Sequence, residues 1–139
     1  MSTTLDGRHA LVTGAGRGIG RAIALQLAAH GAALTLVARS EDALVEVAAA
    51  ARAAGAPSVA CKAVDLLDRD ARDELCETVA VSADVLVNNA GMAPSAPLER
   101  TDDDSWDDVL ELNVTAPFAL CRAALPAMAA AGYGRIVNV

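Results

Sequence analysis

The chain has 139 residues, 54% of them hydrophobic but only 2% aromatic, and a formal net charge of -7. That length suits one domain with one core, built from alanine, valine and leucine rather than from rings. The negative charge argues against nucleic acid and anionic lipid as partners, and no stretch reaches the ~18 apolar residues of a membrane helix, so an anionic ligand has to be held by a local site.

Cys61, Cys76 and Cys121 are odd in number and form no C-x-x-C, which predicts neither a disulfide framework nor a metal site. They read as reduced, packed thiols. Residues 1–8 hold no secretory apolar segment, so the expected compartment is the cytoplasm.

In chain order, residues 9–13 predict a buried strand, and Thr13-Gly14-Ala15-Gly16-Arg17-Gly18-Ile19-Gly20 a turn into a helix. Ile19, Ala22, Ile23 and Leu27 recur at helical spacing, so the turn joins a strand to an amphipathic helix. Gly14 can take a backbone conformation closed to a side chain, while Gly18 and Gly20 allow a ligand and the neighbouring strand to come close. The unpaired N–H groups and dipole of the helix favour a phosphate at the turn. A tight turn with no ligand has the same composition, and the spacing lacks the Gly-Lys-Ser/Thr ending of a nucleoside-triphosphate loop.

The helix is expected to stop at His30-Gly31, with His30 bonding the last carbonyls. Residues 33–38 form a second strand without polar alternation, as when both faces are covered. Ser40 caps a helix with Glu41 and Asp42 in its first turn and Leu44, Val47, Ala48 and Ala51 on its buried stripe, ending at Gly55. Residues 59–64 make a third strand, and Asp68 caps a helix burying Ala71, Leu75 and Val79. Residues 84–88 make a fourth. Thr101, with Asp104 three residues on, resembles a capping box for a long helix toward Ala130, with Trp106, Val109, Leu110 and Asn113 on its buried stripe and a kink at Pro117. Gly132 and Gly134 break it before a fifth strand at 135–139. The alternation predicts an α/β fold with an open, doubly wound parallel sheet in a single domain.

Ligands of such sheets lie beyond the carboxyl ends of the strands. After the second strand, Arg39 stands where an NAD-preferring site places an acid, and Arg17 lies in the glycine turn. Two guanidinium groups near the adenosine ribose favour a 2′-phosphate, which selects NADP(H) over NAD(H), whereas as ordinary solvated charges they select nothing. After the third strand, Asp65 is placed either to accept from adenine or only to organise the turn, and Leu66 to cover the ring. After the fourth, Asn88 and Asn89 are placed to bond adjacent backbone, and Ala90 and Gly91 leave room for a flat ring. Asn113, on a buried stripe, needs a partner, either tying its helix to the sheet or ordering a water.

Taken together, the glycine turn, Asp65, Asn88-Asn89-Ala90-Gly91 and Leu112-Asn113-Val114 resemble the short-chain dehydrogenase/reductase family over residues 9–139. The resemblance implies a Rossmann-type, three-layer α/β/α fold with strand order 3-2-1-4-5, and hydride exchange between a nicotinamide dinucleotide and a small carbonyl or alcohol, 3-oxoacyl thioesters among them. It implies cofactor contacts from Gly14, Arg17, Gly18, Ile19, Gly20, Arg39, Ser40, Asp65, Leu66, Asn89, Ala90 and Gly91. Asn113 would be the asparagine of the catalytic tetrad, holding a relay water. It further implies a homo-oligomer, with Phe118, Leu120 and Leu125 either at the interface or in the core. The family's serine and Tyr-x-x-x-Lys pair would fall beyond Val139, and Tyr133 is no substitute because Val137, not lysine, lies four residues on. The 139 residues thus read as truncated before the catalytic segment and inactive alone. A non-catalytic dinucleotide-binding or assembly module is the alternative.

Overall fold

The structure, a computed structural model, describes residues 4–139. Its sheet has five parallel strands: β1 (His9–Thr13), β2 (Ala33–Ala38), β3 (Val59–Ala63), β4 (Val85–Asn88) and β5 (Arg135–Asn138). Their order is β3-β2-β1-β4-β5, as the family resemblance implies. Crossovers are made by α1 (Gly18–Ala29), α2 (Glu41–Ala54) and α3 (Arg69–Thr78), and then by α4 (Asp103–Leu110) and α5 (Ala116–Ala131), joined through a π turn at Glu111–Thr115.

Alternating side chains of β1 feed two cores. Val12 faces Leu34, Leu36, Leu44 and Val47 in the layer under α1 and α2. Leu11 faces Val37, Leu75, Leu86 and Leu120 under α3 and α5. The central strands β1, β2 and β4 are buried nearly throughout, which is why their sequences are apolar without alternation. β5 is exposed along its length. At its amino end, Tyr133 stacks between Arg8 (3.7 Å to the ring centre) and Arg135 (4.8 Å), and Arg8 also pairs with Asp84 at 3.2 Å.

Local signals placed α2 correctly. Ser40 accepts from Ala43 N, and Leu44, Val47, Ala48 and Ala51 are its buried residues. His30 Nδ1 lies 2.8 Å from the Gln26 carbonyl oxygen, and Gly31 takes a φ of 85°. In α3, Leu75 is buried and Ala71 half-buried, and Val79, the residue that ends the helix, is buried as well.

α1 turns Gly20, Ala24 and Ala28 fully inward, with Ile23 and Leu27 partly buried against the same core and Ile19 63% exposed. Two expectations are corrected. First, no residue of α4 is buried, and Trp106 is 56% exposed. Second, the cap of α4 is Asp102, accepting from Ser105 N at 2.7 Å, whereas the Thr101 hydroxyl donates to Pro97 O. Of the two placements open to Phe118, Leu120 and Leu125, Leu120 takes the core and the other two lie on the surface.

The irregularity expected at Pro117 takes the form of the π turn just before it, and Pro126 also lies within α5. By length and composition alone, the helical segment Asp103–Ala131 passes as a candidate membrane span, a weak signal that core helices share, and Arg122 interrupts its apolar run. Here it buries Ala116, Ala119, Leu120, Ala124 and Met128, as the core helix of an α/β fold does.

Candidate dinucleotide cleft

A cleft of about 670 Å³ opens at the carboxyl ends of β1, β2, β3 and β4. Its floor is the glycine turn. Gly14 has φ +62°, and the start of α1 crosses so near that a Cβ on Gly20 would stand 2.1 Å from the Gly14 carbonyl oxygen. Asn89 locks this arrangement, its Nδ2 donating to Thr13 O (3.3 Å) and Gly14 O (3.2 Å). The sequence expectation that an asparagine here binds backbone of a neighbouring strand is met by this residue. Asn88, 4% exposed, instead donates from Nδ2 to Asn138 Oδ1 at 2.9 Å and so reaches β5.

The hub that sequence reasoning missed is Thr13. Its hydroxyl oxygen, in a side chain 1% exposed, accepts from Asn89 N and Ala90 N, each at 3.0 Å, and lies 3.4 Å from Val87 O. A hydroxyl buried at the end of a central strand is a signal that could have found it, because such a group has to be satisfied.

Around this floor, Gly14, Arg17, Gly18, Ile19, Arg39, Ser40, Asp65, Leu66, Asn89, Ala90 and Gly91 all line the cleft. Gly20 does not. It sits beneath the turn as a packing residue: a Cβ there would stand 2.1 Å from Gly14 O, 2.5 Å from Asn89 Nδ2 and 2.8 Å from the Gly14 carbonyl carbon, so no side chain fits without displacement. Val64, Leu67, Met92 and Leu112 complete the wall without having been singled out as cofactor contacts.

Arg17 and Arg39 are exposed on the rim, and among the described residues neither has a carboxylate at ion-pair distance. Arg17, at the N-cap of α1, makes no side-chain capping bond, whereas Ser40, Asp68 and Asp102 cap α2, α3 and α4. Asp65 accepts from Leu67 N at 3.0 Å, the turn-organising arrangement, while still lining the cleft.

Asn113 is placed differently from the sequence expectation. It is exposed and lies outside the residues lining the cleft, yet its amide is held at both ends: Oδ1 accepts from Met92 N (3.0 Å) and Nδ2 donates to Met92 O (2.6 Å). It ties the helix to the loop after β4. Counting at 3.6 residues per turn from Trp106 fails because α4 does not pack on the sheet and the π turn changes the period at Glu111.

The sequence model of the short chain dehydrogenase family matches residues 8–139. The chain is 38% identical to a short chain dehydrogenase of Pseudocercospora fijiensis, over 97% of this chain and 45% of that protein. It is 36% identical to the 3-oxoacyl-[acyl-carrier-protein] reductase FabG of Escherichia coli, over 96% of this chain and 54% of that one. It thus spans about half the length of the curated relatives it matches. Among solved structures, a metagenomic short-chain oxidoreductase in complex with NADP superposes with a TM-score of 0.90 at 41% identity, covering 96% of this chain and 61% of that one. The L-sorbose reductase of Gluconobacter frateurii, complexed with NADPH and L-sorbose, gives 0.90 at 37% identity, over 99% and 54%. With a family match that runs through β1 to β5 and a sheet in the expected order, the chain belongs to the short-chain dehydrogenase family.

Proposed function

We propose that these residues form the dinucleotide-binding part of an NADP(H)-dependent oxidoreductase that acts on a carbonyl or alcohol. The observation that carries the reading is the uncapped start of α1, which meets the glycine turn at the cleft while α2, α3 and α4 close their first turns with side chains. Exposed N–H groups and the positive end of a helix dipole favour a diphosphate there. Gly14, Gly18 and Ile19 would seat it, with Gly20 holding the helix close beneath. Arg17, Arg39 and Ser40 would meet a 2′-phosphorylated ribose, Asp65 and Leu66 the adenine, and Asn89, Ala90 and Gly91 the nicotinamide side. When bound, the nicotinamide supplies or accepts a hydride.

The Asn113 amide is committed to Met92, so its role at the reacting end is to hold that loop. A relay water would fall to the Asn113 carbonyl, because Pro117, four residues on, has no N–H to give it. Proton transfer to a carbonyl substrate needs a donor near the developing alkoxide. The family's Tyr-x-x-x-Lys pair does not occur in these 139 residues, so no side chain here is assigned that step, and we expect no ketone turnover from these residues alone. A sugar, a 3-oxoacyl thioester and a simple ketone all fit this reading, and the free, separate thiols suit a reducing cytoplasm.

A second reading, an assembly module, is favoured by the exposed length of β5 and by Trp106, Phe118 and Leu125 on the α4–α5 surface. β5 would pair with a further strand, and the helical face would meet a second copy of the chain.

Fluorescence titration with NADPH and NADH tests the first reading. NADPH binds more tightly to the native chain, and Arg39→Asp removes the difference, since a charge-assisted hydrogen bond contributes about 1.5–3 kcal/mol, roughly ten- to a hundredfold in affinity. Equal affinities in the native chain, or an Arg39→Asp variant that keeps the preference, would overturn the NADP assignment.

A further inference from the structure

Among the described residues, Arg72 of α3 is the one buried charged side chain, with the residue 3% exposed. Its Nη1 donates in two directions. One bond runs 3.1 Å to Leu66 O in the loop after β3, and the other 2.6 Å to Glu111 Oε1, on the first residue of the π turn. The acceptors come from two different segments that border the cleft. Leu66 lines it beside Asp65, while Glu111 precedes Leu112, which also lines it, and Asn113, which grips Met92.

We infer that Arg72, bonded to both Leu66 O and Glu111, ties two cleft-bordering segments together, so that the loop carrying Asp65 and Leu66 and the π turn carrying Asn113 keep a fixed separation. The inference rests on the cleft being the dinucleotide site proposed above only for its effect on binding.

Packing does not require a charge here. Leu75, Leu120, Ala124 and Met128 fill the same layer with apolar atoms. A buried ion pair is on general grounds no more stabilising than well-packed apolar groups, and its best-attested use is to fix one geometry among several. Arginine suits the task because its planar, always-charged fork can serve two acceptors at once. The pair is also asymmetric: the Arg72 side chain is 4% exposed and the Glu111 side chain 36%. Removing the guanidinium leaves a carboxylate that water can reach, whereas removing the carboxylate strands a cation. Arg72→Met is therefore the variant that retains the fold, and the double variant Arg72→Met/Glu111→Leu leaves no unpaired charge.

Site-resolved amide hydrogen exchange on the ligand-free chain provides the test. The Met92 amide, held by Asn113, and the Leu67 amide, held by Asp65, touch neither substituted residue. In both variants these two amides exchange at least tenfold faster, while the Leu36 and Leu86 amides of the central strands keep their native rates. NADPH affinity falls about tenfold in parallel. Unchanged rates at Met92, or one uniform acceleration that includes the central strands, would overturn the tie and leave Arg72 a structural residue. If the native chain does not bind NADPH, the dinucleotide reading fails, and the exchange rates still decide whether the tie exists.

Discussion

Replacing Gly20 by alanine tests the packing beneath the proposed diphosphate site. The new methyl carbon would stand 2.1 Å from the Gly14 carbonyl oxygen, 2.5 Å from Asn89 Nδ2 and 2.8 Å from the Gly14 carbonyl carbon, against the 3.4 Å at which ordinary contact begins. The start of α1 therefore has to retreat by about 1 Å, and the obstacles are backbone and a braced amide rather than a flexible tip. Overpacking costs about 1–3 kcal/mol, and straining the two Asn89 bonds adds about 1 kcal/mol more, which gives a loss of roughly 3 kcal/mol. Gly18→Ala is the control. Its Cβ meets no atom within 4 Å, so the cost is only that of a side chain at φ +55°, about 1–2 kcal/mol. In urea melts the expected result is a midpoint lowered more by Gly20→Ala than by Gly18→Ala, with an unchanged slope. Equal losses in the two variants, or a Gly20→Ala chain as stable as the native one, would refute the account of the turn.

Two further outcomes follow from titratable groups. The Asp102 carboxyl is held below its ordinary value by hydrogen bonds from the Ser105 side chain and then its amide. A group depressed on folding contributes stability above its unfolded pKa of about 3.9 and loses it as pH falls through the lower folded value, so the α4 cap should fail only in acid below about pH 4. Followed through the amide signals of residues 103–106, Asp102→Asn should cap α4 without that acid transition, and an identical acid profile in the variant would contradict the assignment. Burial pushes the Cys61 and Cys76 thiols up, helped at Cys76 by Asp73 and partly opposed at Cys61 by Arg52. Both should alkylate more slowly in the native chain than in urea at about pH 8, near the ordinary thiol pKa. Native rates as fast as denatured ones would count against these buried settings.

What could be read from the sequence was local. Ser40, the Glu41–Asp42 first turn and the Leu44, Val47, Ala48, Ala51 stripe all fall within one helix, and each is confirmed in α2. The cleft was legible for a related reason: the residues after each parallel strand converge wherever the crossovers put them, and Arg39, Asp65 and Asn89 do line one cavity. The rest was hidden where side-chain size or helical period carried the information. Gly20, Ala24 and Ala28 are the fully buried residues of α1 although Ile19 and Ile23 dominate its hydropathy, and the π turn took Asn113 off the face that regular spacing assigned to it. Arg72 carries no local signal of its setting, because its partners Leu66 and Glu111 come from other segments. Thr13 is similar, since its bonds to Asn89 and Ala90 span 76 and 77 residues.

The central claim is that a dinucleotide diphosphate rests on the turn between β1 and α1. Titrating the isotopically labelled chain with NADPH while recording its backbone amide spectrum tests this most directly. The account predicts that the amides of residues 16–20 shift first and furthest, saturating together with those of Arg39 and Ala90. Amides 16–20 that stay in place at saturation, with the shifts gathered on the outer face of α1 or on α5, would contradict it.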